Sequence, residues 1–298
     1  MLTVGVIGDF GIKSTNSVAV SNLVKSWNPD IILTTGDNLY SPPSQKNYSS
    51  IIGVLYPEYL DNLPHFVRGG GINSNSNNIL RDISKKWKGR KIYSKFFPCV
   101  GNHDFPFTSY TNYFQLPTFY SVEFTQPKKH LLKVISLNNY KDEEHGRFDD
   151  ATSNQRSWLE EELEASQDFD WILVTFHYPQ LCSNSSREEN ETNSKRLFPF
   201  YKYQNVGLVL SGHQHIYERL EVNGVTNVVV GTSGHSVRRK SIALLEESRQ
   251  IDDSGFGAVR LDVSKDEIKG GYVVLENIRG RNKKQTVIKD EFSVIKKR

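Results

Sequence analysis

The sequence predicts an α/β fold, layered around a mixed sheet, in a single domain spanning 1–298. Three observations carry this expectation. Short apolar, β-rich runs recur along the first two thirds of the chain, helical patterns fall between some of them, and hairpin signals follow later.

The runs are LTVGVIG (2–8), DIILTTG (30–36), KFFPCVG (95–101), HLLKVISL (130–137), DWILVTFH (170–177) and VGLVLSG (206–212). Several are apolar almost throughout, as expected of strands covered on both faces. Between the first two, Val20, Leu23, Val24 and Trp27 keep the i, i+3, i+4, i+7 spacing of an amphipathic helix, which Pro29 closes. In ATSNQRSWLEEELEAS, Thr152 and Gln155 fit a capping box, with Trp158, Leu159 and Leu163 as the apolar side. Asn223-Gly224, inside ERLEVNGVTNVVVG, is the dipeptide that type I′ hairpins favour. Residues 256–278 read as two or three further strands.

The stretch from Ser41 to Lys95 is irregular, and RGGGINSNSNN (68–78) has the composition of a flexible loop. REENETNSKR (187–196) reads as a second polar loop, and no internal repeat is present.

Composition narrows the class. With 37% hydrophobic and 24% charged residues the chain is of ordinary globular type, and no apolar run approaches the ~20 residues of a membrane span. The N-terminus lacks the pattern of a secretory signal, so a cytoplasmic location is the default, with a trimmed secreted form equally compatible. Net charge is only +3, and the basic tail IRGRNKKQTVIKDEFSVIKKR has no interleaved aromatic stripe; it reads as a solvated end and not as a nucleic-acid surface. Two cysteines, Cys99 and Cys182, are too few for a disulfide framework.

The informative residues stand where the apolar runs end. These are Asp9 in VIGDFG, Asp37 and Tyr40 in TTGDNLY, Asn102, His103 and Asp104 in VGNHD, His177 in VTFHYP, and His213 and His215 in SGHQH. Each alone is an ordinary turn or loop feature. Together, at five of six strand ends, they are not a product of packing, and the crevice beyond strand ends is where α/β sheets bind ligands. Three imidazoles, two carboxylates, an amide oxygen and a phenolate are too many donors for one transition metal. They suit two ions sharing a carboxylate, with iron, zinc or manganese matching oxygen and nitrogen donors without thiolates. On a continuous strand His213 and His215 would point the same way; a turn would spread them, one to each ion.

In this order the motifs resemble those of the calcineurin-like metallophosphoesterases, and the tyrosine of GDNLY is similar to that of the purple acid phosphatases. The length is nearer the small, tartrate-resistant type. The resemblance implies a metallophosphoesterase-type layered β-sandwich of mixed sheets, with βαβ units and flanking helices. It implies that Asp9, Asp37, Tyr40 and His215 hold Fe(III), and that Asp37, Asn102, His177 and His213 hold a divalent ion (Fe, Zn or Mn). The implied activity is that of a hydrolase, an acid phosphatase acting on a small phosphorylated substrate, with a metal-activated hydroxide as nucleophile. His103 would contact the phosphate and protonate the leaving group, with Asp104 orienting His103.

One position departs from the pattern. Where the small enzymes carry a further active-site histidine, this chain has Ser186 followed by Arg187, and Arg187 is the candidate to meet the substrate phosphate as a fixed cation. Two alternatives stand beside this reading. One is a phosphoesterase acting on phosphodiesters or nucleotides with Mn or Zn. The other is a non-catalytic regulatory protein on the same fold.

Overall fold

The computed structural model describes residues 1–60, 67–69, 95–126, 129–238, 244–277 and 284–297. Residues 70–78 of the loop expected at 68–78, and most of the irregular stretch before Lys95, lie outside the described residues, while Arg68 and Gly69 fall in a short strand. Among the described residues, no helix is long and apolar enough to cross a membrane.

The strands in chain order are β1 (Leu2–Ile7), β2 (Ile31–Thr34), β3 (Val67–Gly69), β4 (Phe96–Phe97), β5 (Tyr120–Gln126), β6 (Lys129–Ser136) and β7 (Trp171–Thr175). They continue with β8 (Val206–Ser211), β9 (Tyr217–Val222), β10 (Val225–Val230), β11 (Ser248–Asp252), β12 (Phe256–Val263), β13 (Glu267–Asn277) and β14 (Lys284–Ile295). Two mixed sheets result. One has six strands in the order β14-β13-β12-β1-β2-β4; the other has eight, in the order β11-β9-β10-β8-β7-β6-β5-β3. Within them β1, β2 and β4 run parallel, as do β6, β7, β8 and β10.

Alternation along the strands explains the layering. Trp171 and Leu173, with Leu208 and Leu210, join Val4, Val6 and Leu33 of the other sheet in one buried core. Their neighbours Ile172, Val174 and Val209 point the opposite way, into a second core closed by Leu159 and Leu163, which Val206 joins across a register irregularity between β7 and β8. Those two leucines belong to α4 (Asn154–Glu164). Both faces are therefore covered, which is why these strands read as continuous apolar runs. Withdrawing each such side chain from water contributes on the order of 1.5–3 kcal/mol.

The remaining helices are α1 (Thr15–Ser26), α2 (Gln45–Leu55), α3 (Thr108–Phe114) and α5 (Arg187–Ser194). The expected cap of α4 is displaced by one residue. Ser153, not Thr152, accepts from Arg156 N, and the Gln155 amide reaches the backbone of Asn138 and Gly146 instead. The polar loop expected at 187–196 contains α5, whose capping box pairs Ser186 with Glu189. The basic tail also differs from the expectation of a solvated end: residues 284–295 form the edge strand β14 on β13. The hairpin at Asn223-Gly224 is present between β9 and β10, with both turn residues at positive φ as a type I′ turn requires.

Polar cross-links join the two sheets where the parallel strands end. Thr35 Oγ1 donates to Val230 O at 2.9 Å, Thr175 Oγ1 to Thr34 O at 3.0 Å, and Gly8 N to Ser233 Oγ at 3.1 Å. These contacts bring the C-terminal ends of β1, β2, β7 and β10 into one neighbourhood, and Phe176 N donating to Leu210 O at 3.1 Å adds the end of β8.

Candidate metal centre

Sharp turns follow the strands. Asp9, Asp37 and His213 take φ values of 54°, 51° and 65°, in the left-handed region that non-glycine residues rarely enter. Such strain persists where surrounding structure enforces it, and it clusters at functional sites. Around Asp37 the enforcement is close packing. A Cβ on Gly101 would lie 2.2 Å from Asp37 N and 2.3 Å from its carboxylate, so only glycine lets the two loops meet.

The turns draw the side chains into two adjoining groups. In the first, Tyr40 Oη lies 3.1 Å from Asp9 Oδ1 and 3.0 Å from His215 Nε2, which is itself 3.2 Å from Asp9 Oδ1. In the second, Asn102 Oδ1 lies 3.0 Å from His177 Nε2 and 3.1 Å from His213 Nδ1. Asp37 stands at the junction. Its Oδ1 is 3.3 Å from His177 Nε2, and ligand atoms of Asp9, Asp37 and His177 all fall within 4.8 Å of one another. The turn after β8 has spread His213 and His215, one to each group.

Electrostatics mark a place that calls for positive charge. Asp9 and Asp37 are buried, and burying carboxylates without compensating charge costs several kcal/mol. Burial pushes the Asp37 carboxyl up, but the His177 charge and hydrogen bond and the His103 N–H hold it well below the usual range. His177 moves the other way. Burial opposes its protonation, yet Asp37 leaves it pushed up to about 9. Burial, then Asp9 and Asp37, raises the Tyr40 hydroxyl far above its ordinary value, so a phenolate there needs a cation beside it. His213 is lowered to about 3 by burial and by His177. Converging oxygen and nitrogen donors, two of them buried carboxylates, fit a pair of cations. His177 Nδ1 lies 2.8 Å from Thr35 O; donation there anchors the Nδ1 proton, so Nε2 is the nitrogen that would give up its proton to a cation.

The remaining expected residues fall differently. His103 is exposed, and its ring rests 4.5 Å from that of Tyr40. Asp104 does not orient it. The Asp104 carboxylate is buried and accepts from Gly101 N, the Asn38 backbone and amide, and Tyr48 Oη, none of which belongs to His103. Burial first, then Asp37, raises Asp104 to about 7. It fixes the loop that carries Asn102 and His103. Arg187 lies apart from the centre. Its side chain is 93% exposed and paired with Glu191 one helical turn away, and it does not line the cleft beside the centre.

That cleft, of about 540 Å³, begins at Asn102, His103 and His213 and runs over Tyr178, Tyr140 and Arg147. Here the remaining apolar run, HLLKVISL, finds its role, since Asn138 Oδ1 just beyond it accepts from Tyr140 N and the Asn139 amide pairs with the backbone of Tyr178. Arg147 is held in a fork by Asp149. Of the missed residues, Tyr140 had a signal in the polar LNNY directly after an apolar run, Tyr178 stands directly after His177 in VTFHYP, and Arg147 had no such mark. His235 and Ser236 were missed too. The His235 ring stacks on Tyr40 at 3.8 Å, and Ser236 Oγ meets His215 Nδ1. Their signal was a Gly-His after the apolar end of β10, as in SGHQH. The strand after His215 is anchored: Tyr217 and Arg219 both bond Asp290, and Glu218 accepts from Ser183 N.

Known proteins match this description. The calcineurin-like phosphoesterase family profile fits residues 2–217. A purple acid phosphatase of Glycine max is 28% identical over 58% of this chain and 38% of its own length. A tartrate-resistant acid phosphatase type 5 of Sus scrofa is 25% identical over 89% of this chain and 74% of its own. The chain thus spans well under half the length of the soybean relative. Among solved structures, GAP50, described as the anchor in the inner membrane complex of Plasmodium, superposes with a TM-score of 0.70 at 17% identity, over 100% of this chain and 89% of its own. A purple acid phosphatase from seeds of Lupinus luteus gives 0.58 at 16%, over 99% and 53%. At these identities the superpositions speak for the fold alone, and that fold is the layered metallophosphoesterase sandwich.

Proposed function

We propose that this chain, which belongs to the calcineurin-like phosphoesterase family, is a dinuclear metal-dependent phosphatase that hydrolyses phosphate monoesters, a reading supported by its likeness to proteins named as acid phosphatases. The observation that carries this is the meeting of seven donor side chains in two groups with Asp37 between them. Asp9, Tyr40 and His215, with Asp37, are the anionic half and suit Fe(III). Asn102, His177 and His213 are neutral donors and, with Asp37, suit a divalent ion such as Fe, Zn or Mn. Such a pair supplies charge neutralisation for the phosphate and acidifies water enough to make it a nucleophile.

The chain's own residues do the rest. His103, exposed beside Asn102 at the mouth of the cleft, contacts the phosphate and delivers a proton to the departing oxygen from its imidazole. The cleft beyond takes the organic group, with Tyr178 and Tyr140 as an apolar wall and Arg147 drawing anionic esters toward the centre. The gathered groups lie largely out of water, where fixed charges act most strongly.

The test is a panel of phosphate monoesters and diesters offered to metal-reconstituted protein. Monoester turnover that is lost in Asn102→Ala and His103→Ala, with the fold retained, supports the proposal. Diester or nucleotide turnover with Mn or Zn, and no visible absorption band sensitive to Tyr40→Phe in the iron-loaded protein, would replace it with the phosphodiesterase reading. The likeness to an anchoring protein leaves a non-catalytic role as a second reading, which a complete absence of turnover in protein carrying both ions would favour.

A further inference from the structure

We infer that His235 and Ser236 are positioning residues of the same centre: a hydrogen-bonded brace that fixes the tautomer of His215 and the setting of the Tyr40 ring. The inference rests on the metal reading above, because those two side chains form half of the anionic site.

Four residues close a circuit. Tyr40 Oη meets His215 Nε2 at 3.0 Å, His215 Nδ1 meets Ser236 Oγ, Ser236 Oγ meets His235 Nδ1 at 3.1 Å, and the His235 ring returns to Tyr40, stacked at 3.8 Å and 19°. Proton order around the circuit is determined by chemistry. A histidine that gives its Nε2 lone pair to a cation must carry its proton on Nδ1. Ser236 Oγ therefore accepts from His215. A hydroxyl has one proton, so Ser236 still has it to donate, and His235 Nδ1 is the acceptor in reach. His235 in turn carries its own proton on Nε2.

The brace has a firm base. Ser233 N donates to Gly8 O at 3.1 Å, and His235 N donates to Asp9 O at 3.0 Å. Ser14 Oγ, at the cap of α1, donates to Gly234 O at 3.2 Å. The segment is thus tied to the backbone of the residue whose carboxylate completes the same half-site. Partners of this kind commonly change metal affinity by 10–100-fold when removed.

The experiment begins with metal-free protein. Nitrogen-15 NMR of the His215 ring should show a single Nδ1–H tautomer in the wild type and a mixture in Ser236→Ala, with Ser236→Thr restoring the single form. On titration with iron, Ser236→Ala should bind 10–100-fold more weakly at the Tyr40 half while zinc binding at the other half is unchanged. His235→Phe keeps a ring on Tyr40 but loses the acceptor; it should preserve the wavelength of the visible band, whereas His235→Ala should shift it. An unchanged tautomer and unchanged iron affinity in Ser236→Ala would overturn the inference, even with phosphatase activity intact. An ordered tautomer in a wild type that binds no cation would uphold the brace and sink the phosphatase reading instead.

Discussion

Asp37 and His177 stand 3.3 Å apart, carboxylate oxygen to Nε2, both almost fully withdrawn from water. Each changes the other: the imidazolium helps hold the carboxylate ionised, and the carboxylate keeps the imidazole protonated up to about pH 9. In the metal-free protein a proton on His177 supplies part of the charge that cations would supply.

A pH dependence of stability follows. The raised His177 pKa contributes stability that is complete below its unfolded value of 6.5 and lost as pH rises through about 9. Asp104, raised from 3.8 to about 7, works in the same direction: stability falls as pH climbs from about 4 to 7, because the unfolded carboxyl ionises first. The lowered Asp37 acts only in acid, where stability is lost as pH falls below 3.8. His213, lowered to about 3, opposes His177 and Asp104 by removing stability as pH falls below 6.5, but together they outweigh it, so the metal-free protein should have a lower urea midpoint at pH 9 than at pH 5. With metal added the order should reverse, since deprotonated ligands bind cations better.

Gly101→Ala should empty the centre. The added methyl would meet Asp37 backbone and carboxylate near 2.2 Å, and backbone does not yield cheaply. Bound metal measured after reconstitution should fall at least tenfold, with the far-ultraviolet circular dichroism unchanged.

Arg187→Ala should leave kcat and KM within about twofold of wild type. The side chain is 93% exposed, and an exposed i,i+4 pair with Glu191 is worth only ~0.3–0.5 kcal/mol. Arg147→Ala, in contrast, should raise KM for anionic esters several-fold, because that guanidinium lines the cleft and is held in place by Asp149.

Tyr178→Ala should discriminate between substrates. The ring lies 4.2 Å from that of His213 and nearly parallel to Tyr140, at 18°. Removing it should raise KM for an aryl phosphate by about two- to tenfold, a stacking loss of ~0.5–1.5 kcal/mol, and barely affect a small alkyl phosphate.

Much of this was legible in the chain because strands covered on both faces write themselves as apolar runs, and the residues placed at their ends are conspicuous by contrast. Asp9, Asp37, Tyr40, Asn102, His177, His213 and His215 could be gathered that way. Asp104 and Arg187 could not be placed, because their partners Tyr48 and Glu191 are set by tertiary packing and by a helix that the polar composition of 187–196 concealed. His235 and Ser236 lie beyond a strand that the Asn223-Gly224 hairpin signal accounts for, and a single Gly-His after a hairpin strand has the composition of an ordinary turn. Only the stacking on Tyr40 and the contact with His215 distinguish it, and both are long-range. The cap of α4 moved one residue because Gln155 is taken by the Asn138 backbone, a long-range contact with no local trace.

If one pair of cations in these seven ligands performs the hydrolysis, activity must follow metal content. The most direct measurement strips the protein with chelator and follows phosphate release from a monoester as metal is titrated back. Turnover that is absent without metal and rises to its full value at two equivalents per chain is the expected result. Turnover that survives stripping, or that saturates at one equivalent, would contradict it.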